Sequence, residues 1–174
     1  MDQGVPELIT KEEYGLPFDG KEHASLLDIG CGRRKRAGAL GMDRQWDCQP
    51  DIEHDIEDIP WPIGNEYFDA AIAWHVFEHL KPWLMIDVMN EAHRVLRSGG
   101  LLYVGMPAPG SPQFYQDPTH VRTWNEGTPK HFDPDCANYS FYRPKPWKVE
   151  VNTTYKDKGD AKKVALYFVF RKRT

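Results

Sequence analysis

Apolar residues along this chain fall in short blocks bounded by glycine, proline and acidic residues, the spacing of alternating strands and connections. The first block, residues 25–29 (SLLDI), carries Asp28 and then breaks on Gly30 and Gly32, which flank Cys31. Such a run reads as a parallel strand entering a glycine turn. A second apolar piece closes on Gly41-Met42-Asp43-Arg44, so the acids Asp28 and Asp43 stand 15 positions apart. A complete crossover with its helix takes at least about 10–12 residues, and the glycine turn and second strand consume much of the interval. The first helix is therefore expected to be stunted or replaced by the loop RRKRAG. A short third strand is expected near 52–55, followed by a connection, IPWPIGNEYFD, with Pro and Gly punctuation. Residues 70–74 form a continuous apolar run, the pattern of a central strand buried on both faces.

Helical periodicity is clear in the stretch that follows. Leu84, Val88, Ala92, Val95 and Leu96 fall at i, i+4, i+8, i+11 and i+12, predicting an amphipathic helix over about 82–97. Pro82 suits its first turn, Arg94 and Arg97 its C-terminal dipole, and Gly99-Gly100 its stop. A strand over 101–106 ends at Pro107. Residues 107–147 are rich in prolines and aromatics and show no period; a stretch of that length inside a compact domain is usually functional. The β-rich runs 147–155 and 164–172 predict an antiparallel hairpin that closes the sheet. In the polar N-terminal extension, residues 1–24, Thr10 and Glu13 form a capping-box pattern and Gly15 would stop a short helix.

Composition narrows the function classes. A chain of 174 residues suits one domain, 1–174, able to bury roughly 70% of its unfolded surface. Hydrophobic residues at 40% and charged residues at 28% are ordinary for a globular protein. The net charge of −4 disfavours a general nucleic-acid binder, because neutralising phosphates needs a basic excess; the basic runs at 33–36 and 171–173 are local. Three cysteines, Cys31, Cys48 and Cys136, contain no CxxC pair, which suits a reducing, cytoplasmic setting. The acidic N-terminus has neither a signal-peptide pattern nor a membrane-length apolar run.

The segments LLDIGCG, GMDR, HDIEDIPWP, YFDAAIAWHVFEHL and EAHRVLRSGGLLYVGMP occur in that order over about residues 25–107. Taken together they resemble the class I S-adenosylmethionine-dependent methyltransferases, of the compact, type 11-like kind. The resemblance implies an α/β fold: a Rossmann-like three-layer sandwich on a seven-stranded, mostly parallel sheet, with an antiparallel last strand and a shortened first helix. It implies S-adenosylmethionine as cofactor. By position, Asp28, Gly30, Cys31 and Gly32 would form the loop beside its methionine part, where a Cβ would hold the ligand away from the backbone. Asp43, next to Arg44, would accept the ribose hydroxyls; Asp55 and Ile56 would meet the adenine; Trp74 and His75 would sit under the sulfonium. The usual third glycine of the loop is absent, with Arg33 and Arg34 following Gly32 directly. Lys35 or an adjacent arginine would pair with the cofactor carboxylate, or the run is a solvated charged surface.

On the acceptor side, the segment QDPTHVRTW (116–124) supplies His120 as candidate general base, with Asp117 to orient it and Arg122 to bind an anionic substrate group. The alternative is that these three tie the long loop down by hydrogen bonds. Tyr115, Trp124, Phe132, Tyr139, Phe141 and Tyr142 wall an acceptor pocket or pack the loop onto the sheet. A small-molecule acceptor, through a hydroxyl, fits the acidic chain and aromatic loop better than nucleic acid, and no membrane partner is expected.

Three other classes are weighed against this. A nicotinamide-dependent oxidoreductase needs GxGxxG, and Gly30-Cys-Gly32-Arg-Arg-Lys lacks the third glycine. His75-Val-Phe-Glu78-His79 matches the HxxEH zinc-hydrolase pattern, but that pattern needs an established helix, whereas His75 ends an apolar strand and Pro82 soon interrupts. No metal is assigned on this basis, and Glu78 and His79 are expected to fix the turn by hydrogen bonds. A binding module that holds the cofactor without chemistry would keep Asp28, Gly30, Gly32 and Asp43 equally well.

Overall fold

The computed structural model describes residues 25–139, 141–156 and 164–174; the capping box at Thr10 and Glu13 lies outside them. Seven strands form one sheet: β1 (Leu26–Ile29), β2 (Ala39–Asp43), β3 (Ile52–Glu53), β4 (Phe68–Trp74), β5 (Leu96–Pro107), β6 (Trp147–Lys156) and β7 (Val164–Lys172). Their order is β3-β2-β1-β4-β5-β7-β6. The pairings among β1 to β5 are parallel, and β7 is antiparallel to both of its neighbours. This is the mixed, Rossmann-like sheet that the strand pattern predicts. From β1, inside the sheet, the strands step outward to β3, and β4 then lies on the other side of β1. Ligands collect at the carboxyl ends of strands at such a reversal.

The connections on the β1–β3 side are as short as the spacing requires. Gly32–Arg34 and Trp46–Cys48 are each a single 3₁₀ turn. The amides of Gly30 and Cys31 both donate to the Met42 carbonyl, at 2.7 and 3.2 Å, so the chain doubles back onto β2 with no room for a crossover helix.

The amphipathic segment folds as α1 (Met85–Val95), preceded by a 3₁₀ turn at Pro82–Leu84. Met85, Val88, Met89, Ala92 and Val95 form its buried stripe, while Leu84 lies in the preceding turn and is only half-buried. The helix does not run to the glycine pair. Leu96 is extended (φ −81°, ψ 144°), fully buried and paired with Phe68, so β5 begins at once. Pairing and burial of Leu96 outweigh continuation of the helix, and Gly99-Gly100 sits inside the strand instead. Glu91 and Arg94, one turn apart, hold the 56–65 connection: Glu91 accepts from the Trp61 amide (3.0 Å), and Arg94 donates to the carbonyls of Trp61 and Ile63. Burial pushes the Glu91 carboxyl up, but the Arg94 and Trp61 hydrogen bonds outweigh it and hold the group below its usual range.

Core residues lie on both faces of the sheet. The larger cluster packs α1 and the 107–147 segment against Leu27, Ala71, Val104, Phe168 and Phe170. The smaller one joins Leu26, Ile72, Tyr103, Tyr167 and Val169 on the opposite face. Segment 107–147 contains α2 (Pro112–Tyr115) and a 3₁₀ turn, Thr128–His131. Its aromatics divide by role. Trp124 and Phe132 stack at 5.9 Å and pack on Phe168 and Phe170, whereas Tyr115, Phe141 and Tyr142 are exposed. The Tyr139 hydroxyl donates to the Pro144 carbonyl.

Candidate functional site

The carboxyl ends of β1, β2 and β4 open on a cavity of about 660 Å³, within the usual size of a site for a small molecule or cofactor. Gly30, Gly32, Asp43, Arg44, Asp55, Ile56 and His75 line it. Gly30 has φ +64°, and a Cβ there would lie 2.6 Å from Val76 Cγ2, so only glycine fits this turn. Asp43 accepts the Gly32 amide on one carboxylate oxygen and the Gln45 amide on the other, both at 2.8 Å. Each oxygen keeps a second lone pair, so the carboxylate is oriented yet still able to accept a pair of hydroxyls. Asp55 accepts from the Glu57 amide at 3.0 Å and faces Arg44 at 3.5 Å, and the Ile56 carbonyl accepts from the Trp61 indole at 2.9 Å. Gln45, Glu57, His79, Lys81 and Thr119 also line this cavity. Sequence pattern assigned none of them to the cofactor site, because they belong to short turns with no motif of their own. Lys81 binds the Glu57 carboxylate through both its side chain and its amide, at 2.6 and 2.7 Å.

A second recess shares Gly30, Gly32 and His75 with the first and is lined by Asp28, Cys31, Trp74, Arg33, Arg34 and Arg36. Asp28 is buried and accepts the Arg36 amide at 2.8 Å, which folds the basic loop over the end of β1. Burial raises its pKa, against the Arg36 amide and guanidinium. Lys35 is bound to Asp51 at 2.7 Å and Arg33 to Asp47 at 2.8 Å, and Lys35 lines neither recess. The Trp74 ring lies over β5, where a Cβ at Gly105 would overlap it at 2.1 Å. Burial, reinforced by the charges of Asp28 and Asp43, pushes the Cys31 thiol up to about 11. Alkylation of Cys31 at pH 8, followed by peptide mass mapping, is expected to run roughly 100-fold slower than that of a free cysteine, since the thiolate is the reactive species.

The turn after β4 forms the other wall. His75 has φ +56°, uncommon for a residue other than glycine, and its amide donates to the Gly105 carbonyl. The ring donates from Nδ1 to Glu78 Oε1 at 3.0 Å. Glu78 is fully buried in the 3₁₀ turn Phe77–His79, and its carbonyl accepts the amides of Val121 and Arg122. These bonds draw the 116–124 segment against the turn. His120 Nδ1 lies 2.8 Å from the Phe114 carbonyl, and its Nε2 faces Glu78 at 3.8 Å and Asp117 at 3.9 Å. Asp117 accepts from the Thr119 amide and hydroxyl, at 2.8 and 2.6 Å. The segment thus brings His120 and Asp117 together, but of its residues Thr119 lines the cavity and His120 and Asp117 do not. The Arg122 side chain is exposed and does not line the cavity.

Among the described residues, no helix is long and apolar enough to cross a membrane. The profile of the methyltransferase domain family matches residues 27–104, the stretch from β1 into β5 that supplies all of the cavity-lining residues named above except Thr119. Residues 27–104 carry a methyltransferase domain of the class I S-adenosylmethionine-dependent kind. Solved structures share this fold at low sequence identity. An S-adenosylmethionine-dependent methyltransferase from Archaeoglobus fulgidus is 17% identical, with 86% of each chain covered and a TM-score of 0.62. One from Methanosarcina mazei is 15% identical, with 88% of this chain and 94% of that chain covered and a TM-score of 0.63. The 1,6-didemethyltoxoflavin N1-methyltransferase of Burkholderia thailandensis, solved with 1,6-didemethyltoxoflavin and S-adenosylhomocysteine, is 15% identical; 87% of this chain and 72% of that chain are covered, with a TM-score of 0.63. No curated protein matches the chain.

Proposed function

We propose that this methyltransferase transfers the methyl group of S-adenosylmethionine to a hydroxyl of a small-molecule acceptor. The observation that carries the reading is one cavity whose lining combines carboxylates and glycines with histidines and a hydroxyl. Asp43, Asp55 and Ile56 line it together with His75, His79 and Thr119. Asp43 would hold the ribose, while Asp55, Ile56 and Arg44 would border the adenine. Gly30, Cys31 and Gly32 would pass beside the methionine part, whose carboxylate suits the arginine-lined recess around Asp28. Trp74 and His75 would border the reacting centre. When bound, the cofactor supplies an activated methyl on a sulfonium, and what the protein adds is alignment of the acceptor and exclusion of water.

The acceptor side rests on His120, with Asp117 orienting it and Arg122 offering a cation at the outer rim. The Phe114 carbonyl can only accept, so His120 Nδ1 carries the proton and Nε2 keeps the lone pair that a base needs. The whole chain would act as one domain, with 107–147 as its acceptor wall. Free thiols at Cys31, Cys48 and Cys136 support a reducing, cytoplasmic setting.

Incubation with methyl-labelled cofactor and a fractionated cell extract tests the reading. Label is expected in the small-molecule fraction, as an O-methyl product by mass spectrometry. Label confined to protein or nucleic acid would contradict it.

A further inference from the structure

The sequence assigns no metal, yet the fold gathers a ligand set that the HxxEH spacing alone does not describe. One ligand atom from each of Glu78, His79 and His120 lies within 4.8 Å of the others. Glu78 is fully buried, and its Oε2 has no hydrogen-bond partner among the described residues. A buried carboxylate oxygen without a partner is costly unless a cation or donor completes it.

The two histidines are held in the matching tautomers. His120 Nδ1–H is committed to the Phe114 carbonyl, leaving the Nε2 lone pair on the Glu78 side. Thr119 Oγ1 donates its one proton to Asp117 Oδ1, so it must accept from His79 Nδ1–H at 2.9 Å. That leaves the His79 Nε2 lone pair free to coordinate. Outer hydrogen bonds of this kind orient histidine ligands in metal sites, and His75, donating to Glu78 Oε1, does the same for the carboxylate.

We infer that Glu78, His79 and His120 form a binding site for one divalent ion of borderline softness, such as Zn²⁺, Co²⁺ or Ni²⁺, beside the part of the cavity lined by His79 and Thr119. Two imidazoles and one carboxylate leave coordination positions open. Zinc takes its nitrogen ligands at about 2.0–2.1 Å, so the three side chains draw inward when the ion binds. His79 and Thr119 line the cavity, which opens the site toward an acceptor there. The inference rests on the methyl-transfer reading of that cavity and refines one role within it. The His120 lone pair holds the ion, and an acceptor hydroxyl on the ion releases its proton to solvent more readily than one in water.

Cobalt is the probe. Chelator-stripped full-length protein is titrated with Co²⁺ by visible absorption, with S-adenosylhomocysteine binding measured in parallel by calorimetry. Ligand-field bands saturating at a single equivalent and reversed by Zn²⁺ are expected. His79→Ala and His120→Ala should each weaken Co²⁺ binding by more than the roughly 10–100-fold that losing an outer partner costs, with S-adenosylhomocysteine binding retained. His79 is exposed, so its truncation leaves the fold intact even if the buried Glu78→Gln does not. Absence of cobalt bands in a wild type that binds S-adenosylhomocysteine would overturn the metal site and leave the methyltransferase reading standing. Equal cobalt affinity in wild type and both variants would also overturn it. Failure to bind either ligand would overturn both.

Discussion

Replacing Gly30 with alanine is expected to lower the unfolding free energy by about 2–4 kcal/mol, from two additive sources. The residue has φ +64°, where an L side chain is strained, and the new Cβ would lie 2.6 and 2.9 Å from the two Val76 methyls. Valine is stiff about χ1 and cannot swing aside, so the turn itself must shift. That turn lines the cavity beside Asp43, so affinity for S-adenosylhomocysteine should fall along with stability. Gly32→Ala is the control. It too has positive φ (+53°), but its Cβ would meet nothing within 4 Å, so only the conformational part, about 1–2 kcal/mol, is expected. Urea unfolding of both variants checks the difference, and equal losses would mean that contact with Val76 is not what excludes a side chain at Gly30.

Truncating Trp124 to alanine is expected to cost about 3–5 kcal/mol, the range for deleting a large buried aromatic. The ring is 1% exposed and touches Phe77, Phe132, Phe168 and Phe170, joining the acceptor-side segment to β7 and to the turn that carries Glu78. Its indole N–H has no hydrogen-bond partner among the described residues. Trp124→Phe removes that unsatisfied donor while keeping a ring, and relief of a buried unpaired group offsets part of the cavity. The phenylalanine variant should therefore lose under about 1.5 kcal/mol by denaturant titration. An alanine variant as stable as wild type would show that the segment is not anchored through this ring.

The two halves of the site differ in how far they could be read from sequence, for a physical reason. Strand period, glycine and acid positions are local, so LLDIGCG and GMDR marked β1, β2 and the carboxylate between them. The 15-residue interval even predicted the missing helix, because chain length bounds what a connection can contain. The end of α1 was not legible. Gly99-Gly100 is the stronger local stop, but burial of Leu96 against its β4 partner Phe68 decides the boundary, and that is a tertiary effect. Nor was the meeting of Glu78 and His79 with His120, which depends on the amides of Val121 and Arg122 reaching the Glu78 carbonyl across some forty residues. HxxEH needs a helix to bring its two histidines together; the chain forms a 3₁₀ turn there, and the second imidazole beside Glu78 and His79 comes from a distant loop.

The central claim is that Asp43 and the Gly30–Gly32 turn hold S-adenosylmethionine, and calorimetry with S-adenosylhomocysteine tests it most directly. Wild type is expected to bind at a single site. Asp43→Ala should lose roughly 100-fold in affinity, the equivalent of two hydroxyl-to-carboxylate hydrogen bonds. A wild type that gives no binding heat, or an Asp43→Ala variant that binds as tightly, would contradict the account.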